Sequence, residues 1–330
     1  EAKVTAANSE WERLDFTLTP SAAAFPGRFV IKLKQAGTLT VGHAFLQPGP
    51  WGRYQGLPVR KDVAEGLAAQ KLTVLRYGGT MINHAEYRWK NMIGPRDRRP
   101  MTGGHWYPYS SNGWGIFDFL DLCEKLGVLG IPALNSFESA QDMADFMEYA
   151  NGSETTAWGA KRAGDGHPAP YNLKFVEIGN EEVVDGGYAD RFQALAPAMW
   201  AKDPGVVLVV GDFGYNDVIK DPFAFTGSWS GIKSLAAHER ILDLAKASGK
   251  PVWFDIHNNT DAPPDPANIP AILSFHEQLG KLSPGSEYKL VCFELNTFSS
   301  HSLARALANA NAINMLERMG DKLAIVCSAN

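Results

Sequence analysis

Lys174-Phe175-Val176-Glu177-Ile178-Gly179-Asn180-Glu181-Glu182 is the stretch on which the fold turns. It opens as a short apolar run of strand type and closes on Gly-Asn-Glu-Glu. A second run, Leu290-Val291-Cys292-Phe293-Glu294-Leu295-Asn296, has the same form and also becomes acidic at its C-terminal end. Polar groups gathered at the C-terminal ends of apolar strands suggest the mouth of a β/α barrel.

Outward from these two runs, helix and apolar strand alternate from Lys61 to the end of the chain. Periodicity predicts helices over 61–71, 115–127, 138–151, 189–202, 235–248, 269–282 and 302–319. It predicts strands over 72–77, 131–135, 174–179, 206–211, 252–257, 289–295 and 323–326. These strands lack polar–apolar alternation, the mark of burial on both faces in a parallel sheet. Seven such repeats predict an α/β chain with a (β/α)8 barrel rather than a doubly wound sheet. No Gly-x-Gly-x-x-Gly turn follows any strand, which argues against a dinucleotide site. Seven is one short of eight: either 41–46 is the first barrel strand or that strand lies upstream of Glu1. The expected catalytic barrel therefore spans 48–330 and is incomplete at both ends.

Residues 1–47 read differently. The stretches 11–20, 28–33 and 38–41 alternate at period two and are separated by Pro and Gly, which predicts a partial β-sandwich-like segment.

Composition narrows the partners. Of the 330 residues 45% are hydrophobic, enough for a sizeable core. The net charge of −5, without a basic block, argues against nucleic acid. No apolar run is long enough to span a membrane. Nine Trp residues lean toward a ligand that stacks on flat rings. Cys123, Cys292 and Cys327 have no CxxC spacing, so they read as small core residues.

The chemistry sits at the strand ends. A carboxylate pair on two non-adjacent strands fits cleavage of a glycosidic bond, in which one Glu protonates the leaving oxygen and the other attacks the anomeric carbon. Glu181 and Glu294 are the candidate acid/base and nucleophile, with the charge of Glu294 keeping Glu181 protonated. Asn180 is placed to bond a sugar 2-hydroxyl. Arg76 ends a strand, and a barrel-interior Arg is expected to pair with a carboxylate, here Glu294. Glu177 reads as a paired charge facing the interior, His257 as a contact of sugar or Glu294, and Asn135 as a further strand-end amide expected to bind substrate. The long segment 78–114 carries Tyr87, Trp89, Trp106, Tyr107, Tyr109 and Trp114, rings on which sugar C–H faces stack. Arg96, Arg98 and Arg99 are expected in surface ion pairs. Two carboxylates suffice for this reaction, so neither a metal nor an organic cofactor is expected.

Leu75-Arg76-Tyr77-Gly78-Gly79, Tyr87-Arg88-Trp89 and Ile93-Gly94-Pro95 together resemble glycoside hydrolase family 51. Glu177-Ile178-Gly179-Asn180-Glu181 is similar to that family's acid/base strand, and Phe293-Glu294 to its nucleophile strand. The resemblance runs over about 48–330. It implies a retaining α-L-arabinofuranosidase acting on plant cell-wall polysaccharide, with an endo-β-1,4-glucanase or xylanase of the same family as the alternative. A non-catalytic carbohydrate-binding protein is the alternative of another class. The resemblance also places Trp89 beside the site, makes Asn330 a sugar-binding amide and prefers Glu181 over Glu182 as the acid. The sandwich-like segment at 1–47 suggests a secreted or periplasmic protein. Three departures stand out. The Pro of the family's Arg-Tyr-Pro-Gly-Gly-Asn is missing from Arg76-Tyr77-Gly78-Gly79-Thr80, the loop to Trp89 is one residue off the usual length, and Asn258-Asn259 replaces a Tyr after His257.

Overall fold

The computed structural model describes residues 10–23, 25–42, 44–259, 268–296 and 302–329. The chain divides into two compact units, residues 1–65 and 66–330.

In the first unit, none of the described residues before Pro50 lies in a helix or strand. The stretches 11–20, 28–33 and 38–46 form no strand among the described residues, and Trp11, Phe29 and Leu46 are exposed. Alternation specifies which face of a strand would be buried, but a strand also needs a neighbour to pair its N–H and C=O groups. A turn over Pro50–Gly52 and an antiparallel bridge between Arg53 and Arg60 follow. Helix α1 is Lys61–Ala69.

The second unit carries the barrel. In chain order come β1 (Val74–Tyr77), a small hairpin of β2 (Thr102–Gly103) and β3 (Tyr109–Ser110), α2 (Ile116–Leu126), β4 (Leu129–Leu134), α3 (Ala140–Asn151) and α4 (Ala157–Gly164). Then follow β5 (Phe175–Ile178), α5 (Gly186–Lys202), β6 (Val207–Val210), α6 (Ala236–Ala247), β7 (Val252–Asn259), α7 (Ile269–Leu282), β8 (Tyr288–Asn296), α8 (Leu303–Glu317) and β9 (Leu323–Ser328). Seven strands form one parallel sheet in the order β1-β4-β5-β6-β7-β8-β9. Its edge strands β1 and β9 approach within 8 Å, Cα to Cα, so the sheet is a nearly closed barrel. Each strand predicted from the apolar runs is present; α4 and the hairpin were not predicted.

Local chemistry starts and stops the helices. Ser139 and Asp185 accept hydrogen bonds from the backbone N–H groups of Asp142 and Tyr188 at the first turns of α3 and α5. Gly127 ends α2 in the left-handed region (φ 70°).

Strand alternation sorts the side chains. Val176, Ile178, Leu208, Val210, Phe254 and Ile256 belong to the large core that includes the helices. Ile131, Val209, Val291 and Phe293 form a separate cluster inside the barrel. Glu177, Arg76 and Asp255 lie between residues of the first kind, so the period of two turns them inward. One β-bulge matters for the site. Asp255 pairs with Val291 and His257 with Glu294, so two steps along β7 match three along β8.

Candidate active site

Arg76 is the hub of the interior charges. Its Nε and Nη2 donate to Glu177 Oε2 and Oε1 at 2.6 and 2.9 Å, and its Nη1 donates to Glu294 Oε1 at 2.8 Å. Nη2 also donates to Asn180 Oδ1 at 2.6 Å. Both oxygens of Glu177 accept from one guanidinium, the fork geometry of an ionised pair. Burial, helped by the charge of Asp255, outweighs the pull of Arg76 and leaves the Glu177 carboxyl raised above the usual range. Burial works against the charge on Arg76, but Glu177, Asp255 and Glu294 outweigh it and raise its pKa. The expected Arg76–Glu294 contact is present, and Arg76 serves Glu177 as well.

Glu181 and Glu294 face one another across the barrel mouth, with one carboxylate oxygen of each within 4.8 Å of the other and of a His257 ring nitrogen. Glu294 is held by Arg76. Glu181 is reached through a tight turn in which Gly179 (φ 84°) and Glu181 itself (φ 50°) are both left-handed. A side chain at Gly179 would run into Glu182, and one at Gly211 into the carbonyl of Gly179. The turn is therefore built on two glycines where backbone meets backbone.

The same turn sends Glu181 and Glu182 apart. Glu182 Oε1 accepts from Ser136 Oγ at 2.7 Å, and its other oxygen lies 3.4 Å from Arg191. Glu181 instead meets His257, whose Nδ1 lies 2.9 Å from Oε1. Nδ1 is 3.8 Å from Glu294 Oε2. His257 Nε2 lies 2.9 Å from Asp255 Oδ2. Burial lowers the pKa of His257, but Asp255 and Glu181 together outweigh it, and the imidazole rises to about 10. Glu181, His257 and Glu294 also have the spacing of a metal site, but both ring nitrogens of His257 are already engaged, by Glu181 and Asp255. A second group with such spacing, Asp121, Glu124 and His167, is built on and beside α2.

Other expected residues are placed as follows. The Asn180 backbone carbonyl accepts from Asn83, and its buried Nδ2 has no hydrogen-bond partner among the described residues. Asn135 is buried at the end of β4, where it donates to the His84 carbonyl and accepts from the Phe137 N–H. Its amide ties two loops together. Trp89 requires a correction. It is fully buried, with its ring against Phe117, Phe146, Tyr149 and Trp158 and its Nε1 donating to the Asp142 carbonyl. It has no free face for a sugar, because α3 and α4 close over it. Trp106, Tyr107 and Tyr109 in the same segment are exposed. The expectation of surface pairs also fails for Arg96 and Arg99, which both bond the buried Asp118, Arg99 at 2.6 Å. Asn330 lies outside the described residues. Asp255 was missed by sequence reasoning because it stands in an otherwise apolar run; its period-two spacing from His257 was the available signal.

The model of the α-L-arabinofuranosidase 1 domain family matches residues 66–222, the stretch that holds Arg76, Asn180 and Glu181. Over that stretch the chain is similar to family 51 α-L-arabinofuranosidases. It is 28% identical over 249 residues to an extracellular exo-α-L-arabinofuranosidase of Streptomyces chartreusis, covering 66% of this chain and 30% of that protein. It is 35% identical over 176 residues to α-L-arabinofuranosidase A of Aspergillus kawachii, covering 46% of this chain and 28% of that one. The α-L-arabinofuranosidase of Thermotoga maritima, solved with arabinose, superposes with a TM-score of 0.65 over 87% of this chain and 60% of its own. At 22% identity that likeness concerns the fold. This family-51-like chain thus spans about 30% of the length of the two curated relatives.

Proposed function

We propose that this chain carries the catalytic centre of a retaining glycoside hydrolase that cleaves α-L-arabinofuranosyl linkages in plant cell-wall polysaccharide. The observation that supports it most is the spacing of Glu181 and Glu294, with oxygens within 4.8 Å of each other. Retaining enzymes place their carboxyls about 5–5.5 Å apart, whereas inverting ones need roughly 6.5–9.5 Å for a water. The choice of sugar follows the names of the relatives, and secretion follows the extracellular one. Among the described residues, no helix is long and apolar enough to cross a membrane.

In this reading Glu294, held by Arg76, attacks the anomeric carbon while Glu181 gives a proton to the departing oxygen. Glu181 then takes a proton from water, which displaces Glu294. Asn180 Nδ2 is the unsatisfied donor that a sugar hydroxyl would meet. The test is Glu181→Ala with a nitrophenyl arabinofuranoside, whose leaving group departs with little proton assistance. The glycosyl-enzyme should form and stall, and azide should restore turnover. Rescue of Glu182→Ala in place of Glu181→Ala would reassign the acid, and rescue of neither would remove the site from this strand.

A further inference from the structure

Asp255 has no role in the reaction as set out above, yet it touches both halves of the site. It is fully buried on β7, and its two oxygens have different tasks. Oδ2 meets His257 Nε2 at 2.9 Å. Oδ1 accepts the backbone N–H of Phe293 at 2.8 Å. The second contact lies at the bulge, where β8 has one residue more than β7 between the two pairs Asp255–Val291 and His257–Glu294. A bulge takes a backbone group out of the ladder, and a buried N–H left alone is costly. Asp255 supplies the missing acceptor, and the next residue after that N–H is Glu294.

We propose that Asp255 is a positioning residue for the carboxylate pair: one oxygen orients His257 against Glu181, and the other secures the bulge that turns Glu294 into the barrel mouth. This rests on the reading of Glu181 and Glu294 as acid/base and nucleophile.

The consequence concerns a proton. A neutral imidazole has one N–H, and the buried carboxylate behind Nε2 takes it. A further proton then lies in the hydrogen bond between His257 Nδ1 and Glu181 Oε1, on one or the other. When the glycosidic bond breaks, that proton goes to the leaving oxygen and Glu294 bonds to the anomeric carbon. The attacking water returns a proton to the Glu181–His257 pair as its oxygen displaces Glu294, so the cycle closes with no net change. The titratable and charged groups around the pair are Asp255 and Glu294 on β7 and β8, Arg76 and Glu177 from β1 and β5, and, beside Asp255, the thiols of Cys292 and Cys327. Of these, Asp255 is the carboxylate in direct contact with Nε2.

Asp255→Asn keeps the shape and an oxygen for Phe293. It turns an N–H2 donor toward Nε2 in place of the accepting Oδ2, so Nε2 must give up its proton and the imidazole adopts the other tautomer. Two readouts test this on the full chain. The first is the ring-nitrogen NMR signals of His257, assigned by their loss in His257→Gln. In the wild type Nε2 should carry a proton at neutral pH, and in Asp255→Asn it should not. The second is the pH profile of arabinofuranoside hydrolysis. The alkaline limb should move down by about 1–3 pH units when the charge is lost. The rate should fall by about 10²–10⁴ on substrates with poor leaving groups and less on nitrophenyl ones. A bare Nε2 in the wild type at neutral pH overturns the proposal even if the variant does not fold. So does a variant with unchanged ring signals and an unchanged alkaline limb. Full activity in Glu181→Ala and Glu294→Gln would instead overturn the underlying reading of the site, which separates the two failures.

Discussion

Arg76 donates from Nη1 to Oε1 of Glu294 at 2.8 Å, across the barrel from β1 to β8. The same guanidinium holds Glu177, which has no access to solvent. One residue therefore holds both the buried Glu177 and the candidate nucleophile Glu294. Arg76→Met should destabilise the protein by about 3–5 kcal/mol, because it leaves a buried carboxylate without its partner. Adding Glu177→Leu should recover much of that stability in urea unfolding. Activity should stay lost in both variants, since Glu294 still lacks its donor.

Trp89 gives the opposite pattern. It lies among Phe117, Phe146, Tyr149 and Trp158 and has no surface. Trp89→Ala should cost about 3–5 kcal/mol of stability through the cavity it leaves. KM measured well below the melting temperature should not change. A raised KM at unchanged stability would return Trp89 to the sugar site.

The turn after β5 is tested by Gly179→Ala. The residue sits at φ 84°, and an added Cβ meets the Glu182 side chain. A left-handed non-glycine residue costs about 1–2 kcal/mol, and displacing Glu182 also breaks its bond to Ser136. Both melting temperature and kcat should drop, because the turn carries Glu181. Gly164→Ala, at an open position in α4, should lower neither.

His257 links stability to pH. Its folded value is raised to about 10 from the usual 6.5. The folded state binds the proton more tightly, so this contribution is fully present below pH about 6.5 and is lost as pH rises through about 10. Unfolding free energy should decline across that window, and the decline should be shallower in His257→Gln. Equal slopes for the two proteins would show that His257 is not held charged.

The barrel was legible because its strands are unbroken apolar runs such as Val206-Val207-Leu208-Val209-Val210, which serve one architecture. Glu181 and Glu294 were legible because each ends such a run. What escaped depends on partners distant in sequence. Trp89 looks the same whether its ring packs on α3 and α4 or on a sugar. The role of Asp255 is defined by an N–H on the next strand and by a bulge, neither of which periodicity registers. Helix α4 is eight residues long and contains glycine, too short for a period of 3.6 to stand out. The alternation at 11–20 and 28–33 describes a face with no neighbour to receive it among the described residues.

The central claim is that Glu294 forms a covalent bond to the sugar while Glu181 handles the proton. The most direct measurement is peptide mass mapping of Glu181→Ala quenched during turnover of a nitrophenyl arabinofuranoside. The account predicts a pentosyl ester on Glu294, and an azide-released product that keeps the substrate's anomeric configuration because two displacements each invert it. An unmodified Glu294 together with an ester on another carboxylate, or product of inverted configuration from the wild-type protein, would contradict it.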